Sequence, residues 1–239
     1  LHYQPVLSTK DAKIVGYEAL IRWHHPVRGP ISPADFIPVA EECGLIEPLG
    51  EWVLRTACAD AARWPGDVRV AVNVSPIQFA NPALPGIVLN ALAASGLKPE
   101  QLELEITESA FLNDGDATDQ MFAQLKAIGV RLALDDFGTG YSSLSYLTQI
   151  NIDTLKVDRQ FVMEIQTSER SRLVTGAIID LAKRLSLSVC AEGIENLEQW
   201  NYLREHGCDN VQGFMFSKPI PLSELTCSPS HYSDSSFSV

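Results

Sequence analysis

The sequence predicts an α/β chain closed into a (β/α)8 barrel, and three observations carry that expectation. Short β-rich runs alternate with helical stretches along nearly the whole chain, the pattern of a parallel sheet with crossover helices. The strand-like runs number about eight, the complement of this barrel. The length, 239 residues, is close to the ~250 that one such barrel occupies. An open doubly wound sheet is the alternative that the pattern alone leaves standing.

The elements follow in order. Tyr3-Gln4-Pro5 and Val6-Leu7 form a first strand, Ile14 to Trp23 a second and Val68 to Val74 a third. Leu102 to Thr107 alternates with period two, as a half-buried strand does. Val130 to Leu134 is apolar apart from Arg131, and Thr154 to Val157, Leu187 to Ala191 and Asn210 to Gln212 complete the set. Between the strands, Ser32-Pro33-Ala34-Asp35 opens a helix with a capping serine, proline at the first helical position and an acid in the first turn. Glu47 to Arg63 carries apolar residues at helical spacing and is closed by Pro65-Gly66. Pro82 to Ala94 ends at Gly96, Asp116 to Ile128 at Gly129 and Asn196 to Glu205 at Gly207, while Arg170 to Leu185 is the longest helix. The Ser-rich stretch 226–239 has no periodicity and is expected to be a mobile tail.

Composition narrows the function. The apolar fraction is 46% and the charged fraction 20%, enough apolar mass for a sizeable core. The net charge of −12 argues against gripping duplex nucleic acid through a basic surface. It allows a small anionic ligand if a cation mediates. No run of 18 apolar residues exists, so no membrane-spanning helix is expected. The chain begins at Leu1 without Met or a leader, and reads as a cytoplasmic fragment of a longer protein. Five cysteines without a CxxC pair read as buried or incidental thiols.

Ionised and polar residues collect near the strand ends. Glu18 lies in the second strand and Asn73 at the end of the third. Glu105 and Glu108 close the fourth, Asp135 and Asp136 the fifth, Lys156 and Asp158 the sixth and Glu192 the seventh, with Gln212 on the last. In a barrel the carboxyl ends of the strands share one mouth, where active sites are built. A ring of structural salt bridges would explain the same residues without chemistry. Converging carboxylates repel and raise one another's pKa, a conflict that a divalent cation removes. All-oxygen donors suit Mg2+ or Mn2+, and adjacent Asp135 and Asp136 could serve two ions. Lys156 beside such ions would have a depressed pKa and could orient or deprotonate a water. The Gly-rich stretch from Asp136 to Ser143 meets neither the dinucleotide-binding nor the P-loop spacing.

Glu18-Ala19-Leu20, followed by Ile21-Arg22-Trp23, resembles the signature of the EAL domain family, the cyclic di-GMP phosphodiesterases. Tyr3-Gln4-Pro5, Val72-Asn73-Val74-Ser75, Glu105-Ile106-Thr107-Glu108 and Asp135-Asp136-Phe137-Gly138 are similar to further family motifs, in family order. So are Leu155-Lys156-Val157-Asp158, Ala191-Glu192-Gly193-Ile194-Glu195 and Val211-Gln212-Gly213. The resemblance implies a modified TIM barrel over residues 1–225 whose first strand is antiparallel to the rest. It implies Mg2+- or Mn2+-dependent hydrolysis of cyclic di-GMP to linear pGpG, with Ca2+ inhibitory. By the same resemblance Glu18, Asn73, Glu105 and Asp135 hold one metal, and Asp135 and Asp136 the second. Lys156, Asp158 and Glu192 assist the water, and Glu108 braces the loop from Phe137 to Ser143. Leu20, Arg22 and Gln4 contact the ligand, and Gln212 fixes water, metal or ligand. A homodimer is expected on the same ground. A receptor that binds cyclic di-GMP without cleaving it is the alternative, and the intact acidic set favours hydrolysis.

Overall fold

The computed structural model describes residues 1–112, 115–138, 147 and 150–225. The first strand, β1 (His2–Ser8), turns at Ala12 into β2 (Ile14–Leu20). The chain then leaves the wall. A two-stranded hairpin, β3 (Trp23–His25) with β4 (Gly29–Ile31), precedes the helices α1 (Pro33–Glu42) and α2 (Ile46–Ala61). Ser32 caps α1 as its sequence predicts, accepting from the Ala34 N–H. Next come β5 (Arg69–Val74), the one-turn helix α3 (Pro76–Ala80), α4 (Leu84–Ser95), β6 (Leu102–Thr107) and α5 (Gly115–Ile128). The second half runs β7 (Arg131–Phe137), β8 (Thr154–Val157), the short α6 (Arg159–Met163), α7 (Glu169–Arg184), β9 (Ser188–Ala191), α8 (Leu197–Glu205) and β10 (Asn210–Val211). A last short strand, β11 (Ile220–Pro221), adds to the edge of β1 at His2 and Tyr3.

The barrel is closed and mixed. From β2 through β5, β6, β7, β8 and β9 to β10 every described pairing is parallel. β1 closes the ring by pairing antiparallel to β2 on one side and to β10 on the other. The closed barrel is therefore the architecture, and the open sheet is excluded. Strand β2 is shorter than the run Ile14 to Trp23 suggests. Its ladder to β5 ends at Ala19, so Ile21 and Arg22 lie on the rim beyond the wall. The short helices α3 and α6 were not foreseen, because five residues are too few to show a helical period.

Leu102, Leu104, Leu132, Leu155, Val189 and Val211 are fully buried wall residues. Tyr3 sits edge-on against Trp64 with ring centroids 5.3 Å apart, and its hydroxyl donates to Asp60 of α2 at 2.5 Å. Cys58, Cys190 and Cys208 are buried free thiols, Cys43 is an exposed one, and Cys227 lies outside the described residues, as does the expected tail 226–239. No described helix is long and apolar enough to cross a membrane.

At the amino-terminal floor, Asp153 joins three elements. It accepts from the Leu132 N–H of β7 at 2.8 Å and from Lys126 of α5 at 2.9 and 2.8 Å. Asp153→Ala leaves that backbone donor and the lysine without their acceptor, at an expected cost of about 1–3 kcal/mol. Calorimetry should show a lowered melting temperature. A melting temperature equal to the parent's would show that the staple carries no stability.

Candidate active site

The carboxyl ends of the parallel strands open on one face, and the predicted residues meet there. Lys156 of β8 is 2% exposed, a burial that an ammonium tolerates only among compensating charges. Its Nζ lies 2.7 Å from Glu105 of β6, 2.5 Å from Glu192 at the end of β9 and 3.4 Å from Asp135 of β7. Glu18 of β2 completes the ring, accepting from Asn73 Nδ2 at 2.7 Å and from Gln212 Nε2 at 2.6 Å. Gln212 also donates to Gln4 Oε1 at 3.0 Å, and Gln4 in turn donates to the Ser217 carbonyl. Gln4 is thus buried under Glu18, with both ends of its amide engaged.

Two acids adjacent on a regular strand point to opposite faces. Asp135 and Asp136 escape that rule because the β7–β8 register breaks between Leu134 and Phe137 and Asp136 takes φ 55°. Aspartate tolerates this left-handed conformation better than most residues. Asp158 lies just beyond β8 as the N-cap of α6, where it accepts from the Gln160 N–H at 2.7 Å. It is therefore not on the strand with Lys156, although its carboxyl reaches Asp136. Gly193 lets β9 end close to α6. At φ 72° its absent Cβ would stand 2.5 Å from Arg159 Cβ, so any side chain would push Glu192 away from the lysine. Glu108 accepts from the Gly138 N–H at 3.0 Å, at the start of the loop it is expected to brace. The loop's remainder, 139–146, lies outside the described residues.

The charges are unequal. Burial pushes Glu18 up, but Lys156 and the two amide donors outweigh it and hold its pKa below the usual value. Burial raises Glu105 well above the ordinary range, with Glu18, Asp135 and Glu192 adding to the effect against Lys156. Burial also lifts Glu192 to about 8 and Asp136 to about 6. Burial alone would lower Lys156, yet Asp135, Glu105, Glu18 and Glu192 raise it well above its ordinary value. The depressed lysine expected from the sequence belongs to a site with cations beside it, and the carboxylates alone act with the opposite sign.

The donor set fits a divalent cation by its chemistry. Glu105 Oε2, Glu192 Oε1 and Gln212 Oε1 are buried and accept no aligned hydrogen bond. The first two lie 2.7 and 2.5 Å from Lys156 Nζ. Among the described residues no three acidic, His or Cys side chains already surround one point as a finished cage. The ammonium draws Glu105, Asp135 and Glu192 toward itself instead. Beside the ring runs a cleft of about 380 Å³, lined by Leu20, Ile21 and Arg22 from the rim, by Ile37, Leu49 and Val53 from α1 and α2, and by Asn73 and Thr107. Its size suits a small-molecule ligand. The sequence reading missed one feature of this wall. Ser75 and Gln78 form a capping box that starts two residues beyond Asn73, and the spacing Ser-x-x-Gln was the signal for it.

Known proteins resemble this chain in sequence and fold. The family model described as "EAL domain" matches residues 1–219. The cyclic di-GMP phosphodiesterase NbdA of Pseudomonas aeruginosa is 45% identical over 229 residues, covering 94% of this chain and 29% of that protein. A solved structure of the PaMucR phosphodiesterase in complex with c-di-GMP has a TM-score of 0.91 at 42% identity, covering 94% of this chain and 92% of that one. The calcium and cy-diGMP complex of Klebsiella pneumoniae BlrP1 has a TM-score of 0.80 at 32% identity, covering 92% of this chain and 55% of that one. The chain spans between 27% and 34% of the length of the curated relatives it matches. The match extends from the first strand to the segment beyond the last wall strand, and on that extent the chain belongs to the EAL domain family.

Proposed function

We propose that this chain hydrolyses one phosphodiester bond of cyclic di-GMP, giving linear pGpG, in a reaction that needs Mg2+ or Mn2+. The observation that carries the reading is the ring of strand-end acids around buried Lys156, set beside a ligand-sized cleft in a barrel of this family. The naming of NbdA and PaMucR as phosphodiesterases supports it. Bound divalent cations would polarise the phosphoryl oxygens and lower the pKa of a bound water. Glu18, Asn73, Glu105 and Asp135 would hold one, and Asp135 with Asp136 the other.

The chain's own groups supply the rest. Lys156 orients the attacking water from Nζ, and Glu192 and Glu105 fix that ammonium in place. Asp158 steadies Asp136. Attack on phosphorus breaks the bond to the 3′ oxygen, which takes a proton, and the phosphate stays on the 5′ side. Arg22 on the rim faces the ligand's phosphates and Leu20 its apolar surface. Gln4 holds Gln212 against Glu18, an indirect role in place of the ligand contact that the resemblance implies. Residues 1–225 form the working domain in this reading. A cytoplasmic setting and pairing of two copies belong to it as well, carried by the resemblance. A receptor that binds without cleaving is the second reading, and the complete acid ring favours hydrolysis over it.

Hydrolysis should stop on exhaustive chelation with EDTA and return with Mg2+ or Mn2+. Ca2+ should support binding without turnover, because its larger and looser shell places water badly. Equal rates in Ca2+ and Mg2+, or full activity after chelation, would overturn the metal assignment. Glu18→Ala should abolish pGpG formation in chromatographic assays while circular dichroism stays native. Its loss should exceed the roughly 10–100-fold typical of residues that only support a metal ligand.

Lys156→Ala separates chemistry from binding. Turnover should fall by about 10²–10⁴-fold, while the affinity for cyclic di-GMP, titrated calorimetrically in Ca2+, changes little. Removing one member of a buried ion cluster also destabilises, so rates are measured on the folded fraction below its unfolding transition. An affinity that falls as far as the rate would make Lys156 a binding residue.

A further inference from the structure

Asn73 is exposed at the end of β5. Its side chain reaches Glu18 through one hydrogen bond of 2.7 Å, and its backbone is held by the ladder to Glu105 on one side and by the turn that follows on the other. That backbone turns from β5 into α3 within a single residue, Ser75. The turn is locked by a reciprocal pair of bonds. Gln78 N–H donates to Ser75 Oγ at 3.3 Å, and Ser75 N–H donates to Gln78 Oε1 at 3.2 Å.

The Gln78 amide can hold this position because Gly50 of α2 lies opposite it. A Cβ on Gly50 would overlap the amide of Gln78. Gly50 is inside a helix, in ordinary helical backbone, so no unusual φ requires glycine there. A mid-helix glycine is unfavourable relative to alanine. The contact with Gln78 is what the missing side chain makes room for. The overlap falls on the far end of a flexible side chain, so an alanine would displace the amide and leave the helix packing in place.

We infer that Gly50 and Gln78 are positioning residues: the bare face of α2 admits the Gln78 amide, which locks the β5–α3 turn and holds Asn73 on Glu18. This rests on the reading of Asn73 as part of the phosphodiesterase site. It predicts that loss of either residue unlocks the same turn, so their effects on catalysis do not add.

The test compares Gly50→Ala, Gln78→Ala and the double variant. Each single change should lower kcat/KM for cyclic di-GMP by about 10-fold, and the double variant should fall no further. Melting temperatures supply a readout independent of activity. With Gln78→Ala already present, Gly50→Ala should raise the melting temperature by about 2–4 °C, since the helix gains alanine at no steric cost. With Gln78 intact the gain should be smaller, because the cap is lost. Unchanged kcat/KM in Gly50→Ala, or losses that multiply in the double variant, would overturn the inference. If the parent chain does not cleave cyclic di-GMP, the enzymatic reading fails by itself. The positioning role is then decided by the crystal structure of Gly50→Ala. An Asn73 amide moved off Glu18 supports it, and one still within hydrogen-bond distance of Glu18 Oε1 refutes it.

Discussion

The ammonium of Lys156, buried among Glu105, Asp135 and Glu192, is the charge around which the barrel mouth is organised. Four acids brought this close without it would carry several uncompensated charges into a medium of low dielectric. Such a cluster is weak support for stability, since well-packed apolar residues of similar volume often do as well or better. Its retention in the interior points to use.

The same economy of charge bears on how an acidic chain would take an anionic ligand. With a net charge of −12 the molecule repels a phosphodiester at long range. Attraction has to be local, and the described rim offers Arg22 beside the cleft that opens next to Glu18. Burial lowers the pKa of that guanidinium, with Glu18 pulling it back up. Binding in such a mouth is selective for ligands that bring or accept counter-charge.

Much of this was legible in the sequence, for physical reasons. Strand-helix alternation and acids at the strand ends are local signals, and they placed Glu18, Glu105, Asp135, Lys156 and Glu192 at one mouth. What could not be read was set by distance or by cooperation. Ile21 and Arg22 continue an apolar run, yet they leave the wall because the partner ladder on β5 ends at Ala19. Asp135 and Asp136 share a face only because of a register break that depends on the neighbouring strand. Asp158 looked like a strand residue at spacing two from Lys156 and is instead a helix cap.

The reversed first strand has a topological consequence. In a barrel of uniform direction the chain starts at the floor, with the full height of the wall between its start and the chemistry. Here His2 pairs with Leu20, at the carboxyl end of β2. Any polypeptide joined ahead of Leu1 therefore meets the barrel at its reactive rim. From there Gln4 reaches Gln212, and Gln212 reaches Glu18, in two hydrogen bonds. The first strand and a carboxylate of the mouth are thus joined by a path of three side chains, Gln4, Gln212 and Glu18.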